Sequence, residues 1–587
     1  MATLDAASSL VDTDKRGEAL PVIDCLGDDL LCLVLGRLST RPLLQSPALV
    51  CKRWSQLCKA LVTVFSPPRF LAKLPASKSS TWLHLRGPEA ARIVERHAAT
   101  LETLDLRYLG AAAKHSPSSE ERILLPRLPR LRTMVLPALE FGRQLDLTVL
   151  PRSLTTLRFA FEPHSYATPA ALPTCAWCWL DNAGLRTIRE RCPNLESVAF
   201  GVCHDRITTT DTRPFLAALS PTLKTVSLQY GEVEGVQDRT LRLWDDLAFI
   251  LRTCQCLESL EVQGPVFRLY PEISGWADGP TREPPALSFP PRLRELRLLE
   301  QGDTRNRFTQ YGLRLLEPAV RAQGHQLHAF QASANQIDGP ERWDWSWTPN
   351  LRVLDWGNTF WMRASNIRFS KRAARSLLET LLLLPRLERV VLADATDEML
   401  VALGQHCPRL REIHIHGPEF ALRPVEGLPR YPRVEEVTNR GVIALAEGCP
   451  HLRVVDVGHS LVSVGAVRAL AFHCRELQVL ILTGCRPTPT LPGIADDAVV
   501  ALLPRLGSCL HLLDLAGTGV TAAALQAIAD WGQEHPFPLR VLVLPSRPAI
   551  QKSSWAAQLK ARPGLDVRFG SSGIRWAGLH ESPLLED

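Results

Sequence analysis

The sequence lacks a long apolar segment. Its apolar runs, such as Leu381–Leu384, are far shorter than the roughly 20 residues that a membrane-spanning helix needs. A secretory leader is not expected, because Asp5, Asp12 and Asp14 stand where such a leader has a basic start and an apolar stretch. We therefore expect a protein of the cytoplasm, the nucleus or both, without a membrane partner.

The sequence also lacks a large excess of charge of either sign. The 587 residues include 67 basic and 61 acidic side chains, which leave a formal net charge of +6. Nucleic-acid-binding domains usually concentrate positive charge much more strongly. We therefore expect no nucleic-acid partner.

Catalytic motifs are missing as well. The chain has no glycine-rich phosphate loop followed by lysine, no GxSxG nucleophile turn and no HExxH helix. A lone CxxC at Cys175 and Cys178 lacks the second pair that a zinc site needs. We expect a protein that is not an enzyme and that binds no cofactor or metal.

The chain is rich in one short internal repeat. Its pattern is Leu-x-x-Leu-x-Leu, with other apolar residues as substitutes, and about fifteen copies follow one another at spacings of 23 to 42 residues. The copies begin at Leu101, Leu131, Leu154, Leu195, Leu223, Leu257, Leu293, Leu327, Leu351, Leu387, Leu410, Leu452, Leu477, Leu510 and Leu539.

Each copy predicts one short strand. Its last two apolar residues are two positions apart, so both point to the same side of the strand, into a core. Helix-like stretches such as 496–503 and 521–528 lie between copies, with Asp496 and Thr521 as expected N-caps. Stacking of the copies predicts an α/β fold over residues 66–570, a curved solenoid with concave parallel strands and convex helices.

Cysteines precede several copies of the repeat. Cys192, Cys407 and Cys449 are each followed by proline, and Cys474 and Cys509 also stand just ahead of a copy. These units resemble the cysteine-containing subclass of leucine-rich repeats. We interpret their thiols as reduced, small apolar core groups.

Residues 21–65 predict a helical module ahead of the array. Apolar residues recur at helical spacing from Leu30 to Leu38, and Ser46-Pro47 then opens a second stretch whose apolar face includes Trp54. A cap over the open end of the repeat core would explain these apolar faces. The flanking residues 1–20 and 571–587 are expected to be a disordered N-terminus and a C-terminal tail.

The module resembles the F-box through LGDDLLCLVLGRL at 26–38 and LVCKRW at 49–54, with Gly27 where the family commonly has proline. The resemblance implies a substrate receptor of an SCF ubiquitin ligase, acting in ubiquitin-dependent protein degradation. Its partners would be a Skp-family adaptor and, through it, a cullin and a ubiquitin-conjugating enzyme. The implied adaptor-binding residues are Leu30, Leu31, Val34, Leu35, Leu43, Leu44, Val50 and Trp54.

The third and fifth residues of each copy should face the concave wall, where a protein substrate would bind. In the C-terminal copies this wall is apolar and interrupted by acidic groups. The candidate substrate-binding residues are Asp355, Val391, His414, Asp456, Ile481 and Asp514. Packing against neighbouring strands is the alternative for the apolar ones.

Inserted segments after the strands are further candidates, because binding residues concentrate on loops. The segment 333–349 carries Trp343, Trp345 and Trp347, which would offer large rigid anchors to a substrate. Simple loop packing is the alternative.

Two other functions remain open from the sequence. One is a leucine-rich-repeat interaction scaffold without a ligase role. The other is a small-molecule receptor of the hormone-sensing F-box type.

Overall fold

The computed structural model divides the chain into two compact units, Met1–Gly231 and Glu232–Asp587. The structure describes residues 64–65, 94–95, 97–105, 126–137, 147–160, 180, 182–202, 209–230, 238–264, 287–300, 311–332, 345–356, 378–379, 381–393, 395–416, 434–485, 493–506, 509–535, 538–562 and 564–570.

Unit 1 (Met1–Gly231) contains parallel strands that pair in chain order. They are β1 (Val64–Phe65), β2 (Thr103–Asp105), β3 (Thr133–Pro137), β4 (Thr156–Ala160), β5 (Ser197–Val202) and β6 (Thr225–Tyr230). Helices α1 (Asn182–Arg191) and α2 (Thr209–Leu219) precede β5 and β6, and a 3₁₀ turn at Leu147–Val149 precedes β4.

Unit 2 has the same organisation over more strands. They are β7 (Ser259–Gly264), β8 (Glu295–Glu300), β9 (Ala329–Ala332), β10 (Val353–Trp356), β11 (Arg389–Ala393), β12 (Glu412–His416), β13 (Val434–Thr438), β14 (Val454–Asp456), β15 (Ser460–Leu461), β16 (Val479–Ile481), β17 (Leu512–Asp514), β18 (Val541–Leu544) and β19 (Asp566–Phe569). All pair in parallel with the next strand except that β13 pairs with β15, which leaves β12 beside β14 and β14 beside β16.

Helices of unit 2 lie between its strands in the sequence. They are α3 (Asp238–Thr253), α4 (Tyr311–Gln323), α5 (Asp397–His406), α6 (Asn439–Gly448), α7 (Val464–His473), α8 (Asp496–Leu506), α9 (Ala522–Glu534), α10 (Pro548–Gln551) and α11 (Ser554–Ala561). Short 3₁₀ turns occur at Gly324–Gln326 and Trp345–Trp347. In the described part of the chain, no helix has the length and apolar character needed to cross a bilayer.

The predicted strands are confirmed, because every copy of the repeat begins a strand two residues after its first leucine. The weak copy at Leu327 does so too, with β9 starting at Ala329. The α/β class with parallel strands is therefore confirmed. Strands β1, β13, β15 and β19 lie outside the copies that the pattern identified.

Backbone hydrogen bonds explain why the copies stack in register. The carbonyl of the second residue in a copy accepts the N–H groups of the second and third residues in the next copy. Glu102 thus accepts from Arg132 at 2.8 Å and from Thr133 at 2.9 Å. The first and fourth residues point into the core, where Leu101 and Leu104 are fully buried.

Of the two expected N-caps, the structure confirms one and contradicts the other. Thr521 does cap α9, since its hydroxyl accepts from the N–H of Ala523 at 3.2 Å. Asp496 is instead the first helical residue of α8, and the N-cap assignment was wrong. Its carboxylate reaches the next copy, where it accepts from the N–H of Thr521 at 2.7 Å and from its hydroxyl at 2.6 Å.

Candidate functional site

One row of side chains runs across the sheet of unit 2, formed by the fifth residue of each copy. Neighbouring strands hold these residues directly opposite one another, and adjacent strands are about 4.8 Å apart. The structure thereby brings together all six of the predicted non-tryptophan substrate residues. They are consecutive members of this row, the central row, in the order Asp355, Val391, His414, Asp456, Ile481 and Asp514.

The central row is largely buried. Val391, Asp456 and Ile481 are each 4% exposed, His414 is 3% exposed and Asp514 is fully buried. The side chain of Asp355 lies outside the described part of the structure. Five of the six side chains are therefore buried and not open to solvent. Their role in binding substrate remains a prediction that would require them to become accessible.

Packing within the sheet face accounts for part of this burial. Val454, Val479, Ile481 and Leu512 form one buried apolar cluster, and Val541 packs against it. Except for Ile481, these are third residues of their copies, which share a face with the central row because side chains alternate along a strand. The cluster matches the alternative in which the apolar residues of the face pack against neighbouring strands.

Asp456 and Asp514 serve the local backbone. Asp456 accepts from the N–H of Gly458 at 3.0 Å, and Asp514 accepts from the N–H of Ala516 at 2.9 Å. Each aspartate thus forms a turn at the end of its strand, in which the carboxylate accepts a hydrogen bond from the backbone N–H two residues later. An acidic residue at this position therefore has a structural function that the sequence pattern did not reveal.

Charged groups on the same face are more accessible beside His414. Arg389 lies 3.4 Å from Glu412, and the side chains of both are between a fifth and a third exposed. His414 lies 3.9 Å from the same carboxylate. Burial lowers the pKa of His414 more than the nearby Glu412 carboxylate raises it, so the imidazole is neutral near pH 7. Arg389 and Glu412 are not among the predicted substrate-binding residues, although both occupy third positions of their copies.

The N-terminal strands of unit 2 carry a second polar group. Arg297 lies 3.4 Å from Glu295 and 4.0 Å from Glu261. Ser259 donates a hydrogen bond to Glu295 at 3.1 Å. These partly exposed ion pairs contribute little to stability in water and leave the groups available to a partner.

The three tryptophan candidates do not form a common surface in the described structure. Trp345 is 2% exposed and packs edge to face on Phe330, with ring centroids 5.7 Å apart. Trp347 is half-buried, and the guanidinium of Arg321 lies 5.8 Å from its ring centroid. Trp343 lies outside the described residues. Loop packing, the alternative from the sequence, therefore describes Trp345.

The cysteines that precede the copies are structural. Cys407, Cys449 and Cys474 are free and buried, and burial raises the pKa of each thiol to about 12. Cys449 donates to the carbonyl of Cys407 at 3.3 Å, and Cys474 donates to that of Cys449 at 3.7 Å. Each thiol thus links its copy to the preceding one. Within the described ranges, no three side chains are grouped as a metal site requires.

The predicted adaptor-binding residues, Leu30, Leu31, Val34, Leu35, Leu43, Leu44, Val50 and Trp54, lie outside the described residues. Their role in adaptor binding therefore stays a prediction. The family model for the F-box domain matches residues 23–64. An F-box domain is therefore confirmed at residues 23–64, ahead of the first copy of the repeat in the sequence.

Comparisons with whole proteins are less informative. No curated protein matches the chain. Among solved structures, a crystal structure of a yeast Rad7 and Elc1 complex is 16% identical, with 66% of this chain and 83% of that chain covered and a TM-score of 0.38. A TLR13–ssRNA13 complex is 11% identical, with 80% and 68% covered and a TM-score of 0.28. Both TM-scores are too low to bear on fold or function.

Proposed function

We propose that this chain is the substrate-recognition subunit of an SCF-type E3 ubiquitin ligase. The observation that carries the proposal is the F-box match at residues 23–64. F-box proteins generally act as non-catalytic adaptors of ubiquitin ligases. The stacked parallel repeats that follow suit this role, because repeat arrays build extended binding surfaces.

The F-box and the repeats would have different functions. The F-box residues Leu30, Leu35 and Trp54, with their apolar neighbours, dock a Skp-family adaptor, and through it a cullin and a ubiquitin-conjugating enzyme. Residues 66–570, a curved solenoid of cysteine-type leucine-rich repeats, hold a protein substrate. The chain accelerates ubiquitin transfer by proximity, in the cytoplasm, the nucleus or both, while the chemistry belongs to its partners.

Capture of the adaptor tests this proposal. The full chain should recover a Skp adaptor and a cullin from extract of its own cells. Combined Leu35→Asp and Trp54→Asp substitutions should reduce that recovery roughly tenfold or more, because apolar anchors dominate interface energy. Asp12→Asn with Asp14→Asn, which leaves the apolar residues intact, is the matched control and should recover both partners normally.

The result can fail in two informative ways. If the wild-type chain recovers neither partner while another F-box protein does so from the same extract, the ligase role is wrong and the scaffold alternative stands. If the double variant captures the adaptor as well as wild type, docking uses other residues. Circular dichroism should show unchanged helix content, which separates lost docking from lost folding.

A further inference from the structure

Five turns of unit 2 lie side by side along one edge of its sheet, where the chain enters β8 to β12. Backbone hydrogen bonds connect them one after another. The N–H of His328 donates to the carbonyl of Arg294 at 2.7 Å, and the N–H of Arg352 donates to that of His328 at 2.7 Å. Glu388 then donates to Arg352 at 2.8 Å, and Arg411 to Glu388 at 2.7 Å.

These turns concentrate positive charge. They comprise residues 290–294, 324–328, 347–352, 381–388 and 406–411, and Glu388 is the one carboxylate in them. Their arginines, all exposed, are Arg292, Arg294, Arg352, Arg386, Arg409 and Arg411. We call these five turns the basic edge. The near balance of charge over the whole chain hides it, because the arginines are scattered over 120 residues of sequence.

Contacts along the basic edge position several arginines without neutralising them. Arg294 donates to the carbonyl of Gln326 at 3.3 Å, and Arg386 donates to the side-chain oxygen of Asn350 at 2.6 Å. Both acceptors are uncharged. Within the five turns the carboxylate is that of Glu388, which lies 3.8 Å from Arg352. Most of the positive charge therefore stays available to an anionic partner.

The adjacent carboxylates on the sheet face have basic neighbours of their own. Glu295 lies 3.4 Å from Arg297, and Glu412 lies 3.4 Å from Arg389. The positive charge of the basic edge also acts on His328. Partial burial is the largest cause that lowers its pKa, and Arg294, Arg352 and Arg386 lower it further, while Glu295 opposes them.

Exposed leucines lie within the same edge. Leu382 is 52% exposed and Leu383 is 44% exposed, in the turn that also carries Arg386. These two adjacent leucines place an apolar surface next to the arginines. Nucleic acid gains little from leucines, since it is held by phosphate contacts and aromatic stacking. An acidic protein segment with aliphatic side chains complements both the charge and the leucines.

We propose that the basic edge binds an acidic, leucine-containing segment of a protein partner. The five turns are separated by four strand spacings, so the bound segment would span about 19 Å, or about six extended residues. That this partner is the ligase substrate rests on the proposed function. The binding surface itself does not.

A peptide-binding assay on the full chain tests the proposal. The probe is a fluorescein-labelled twelve-residue peptide of aspartate and glutamate with two leucines, measured by fluorescence polarisation. Combined Arg352→Gln, Arg386→Gln and Arg411→Gln substitutions should weaken binding roughly tenfold, because three exposed ion pairs are lost. Leu382→Ser with Leu383→Ser, and a probe with amides in place of its carboxylates, should each weaken it too.

A matched variant controls for net charge. Arg252→Gln, Arg440→Gln and Arg468→Gln remove the same charge from exposed positions on α3, α6 and α7 and should change the affinity less than about twofold. Equal weakening by both triple variants would show only general attraction and overturn the proposal. So would no binding of the peptide, or binding of a single-stranded RNA of similar length in its place.

The assay contains no adaptor, so its outcome is independent of the ligase role. Failure of adaptor capture with intact peptide binding would remove the proposed function and keep the basic edge as a docking surface. Intact adaptor capture with no peptide binding would keep the proposed function and remove the basic edge as a docking surface.

Discussion

At the scale of single residues, the burial of His414 makes the stability of the folded protein depend on pH. Its pKa lies below the usual value because burial disfavours the charged imidazole. Between this lowered pKa and the ordinary value of about 6.5, the unfolded chain binds a proton that the folded chain does not. Acidification through that window therefore destabilises the folded state, and above about pH 6.5 this contribution is constant.

Replacing His414 should remove this pH dependence. In wild type, the free energy of unfolding should fall from pH 7 to pH 5.5, with His414 contributing up to about 1.4 kcal/mol per pH unit. His414→Gln should flatten that decrease, as measured by urea unfolding of the full chain at each pH. His325→Gln, at an exposed position, is the control and must keep the wild-type decrease. An unchanged slope in His414→Gln would contradict the assignment.

At the scale of elements, a polar contact recurs between successive helices. The first residue of a helix accepts hydrogen bonds from the N-cap residue of the next one. Asp397 of α5 accepts from the N–H of Thr438 at 2.8 Å and its hydroxyl at 2.6 Å. Asn439 of α6 accepts from the N–H of Ser463 at 2.8 Å. Asp496 and Thr521 repeat the arrangement. Each contact fixes the spacing between two copies.

Asp397→Ala should break the strongest of these contacts. This buried carboxylate also accepts from the N–H of Gly441 at 3.0 Å, so its loss leaves three donors without it. We expect a loss of roughly 2–4 kcal/mol in the free energy of unfolding. Asp497→Ala, at an exposed position in the first turn of α8, should cost less than about 0.5 kcal/mol. Similar losses for both variants, measured by chemical unfolding, would contradict the ranking.

Glycine permits the close approach of α5 and α6. A Cβ placed on Gly448 would lie 1.9 Å from the carbonyl oxygen of Gly404, and one placed on Gly404 would lie 2.4 Å from that of Ala444. Backbone atoms cannot move aside as side chains do. The two helices therefore pack at a distance that requires glycine at both positions.

Gly448→Ala should consequently destabilise the protein in spite of alanine's preference for helices. That preference is worth about 1 kcal/mol, while the clash forces the helices apart at a cost of roughly 3 kcal/mol or more. Gly465→Ala is the control, because its nearest atom is the side-chain nitrogen of Asn439 at 3.3 Å. It should be neutral or mildly stabilising in thermal unfolding. Equal stability of Gly448→Ala and wild type would contradict the packing argument.

At the scale of the whole molecule, the face of the sheet in unit 2 and the basic edge differ in their exposure to solvent. The central row and its apolar cluster are buried within the sheet face. Arg352, Arg386 and Leu382, in contrast, are exposed at the basic edge. The basic edge therefore offers a partner exposed side chains that the central row does not.

The sequence by itself determined where the strands of the fifteen copies are, which of their leucines point into the core, and which segment is the F-box. Those features depend on patterns within a few residues, such as the leucines from Leu101 to Leu104, and every copy repeats them. Cys192, Cys407, Cys449 and Cys474 could be placed in the core for the same reason, whereas Cys509, also predicted there, is only partly buried.

Only the tertiary structure decided what the rest of each copy does. Burial of His414, the position of Trp345 and the backbone role of Asp514 depend on what neighbouring copies place beside them. The basic edge likewise exists only because parallel register brings together arginines that are far apart in sequence. A local pattern specifies the strand, whereas the exposure of a side chain is set by contacts between copies.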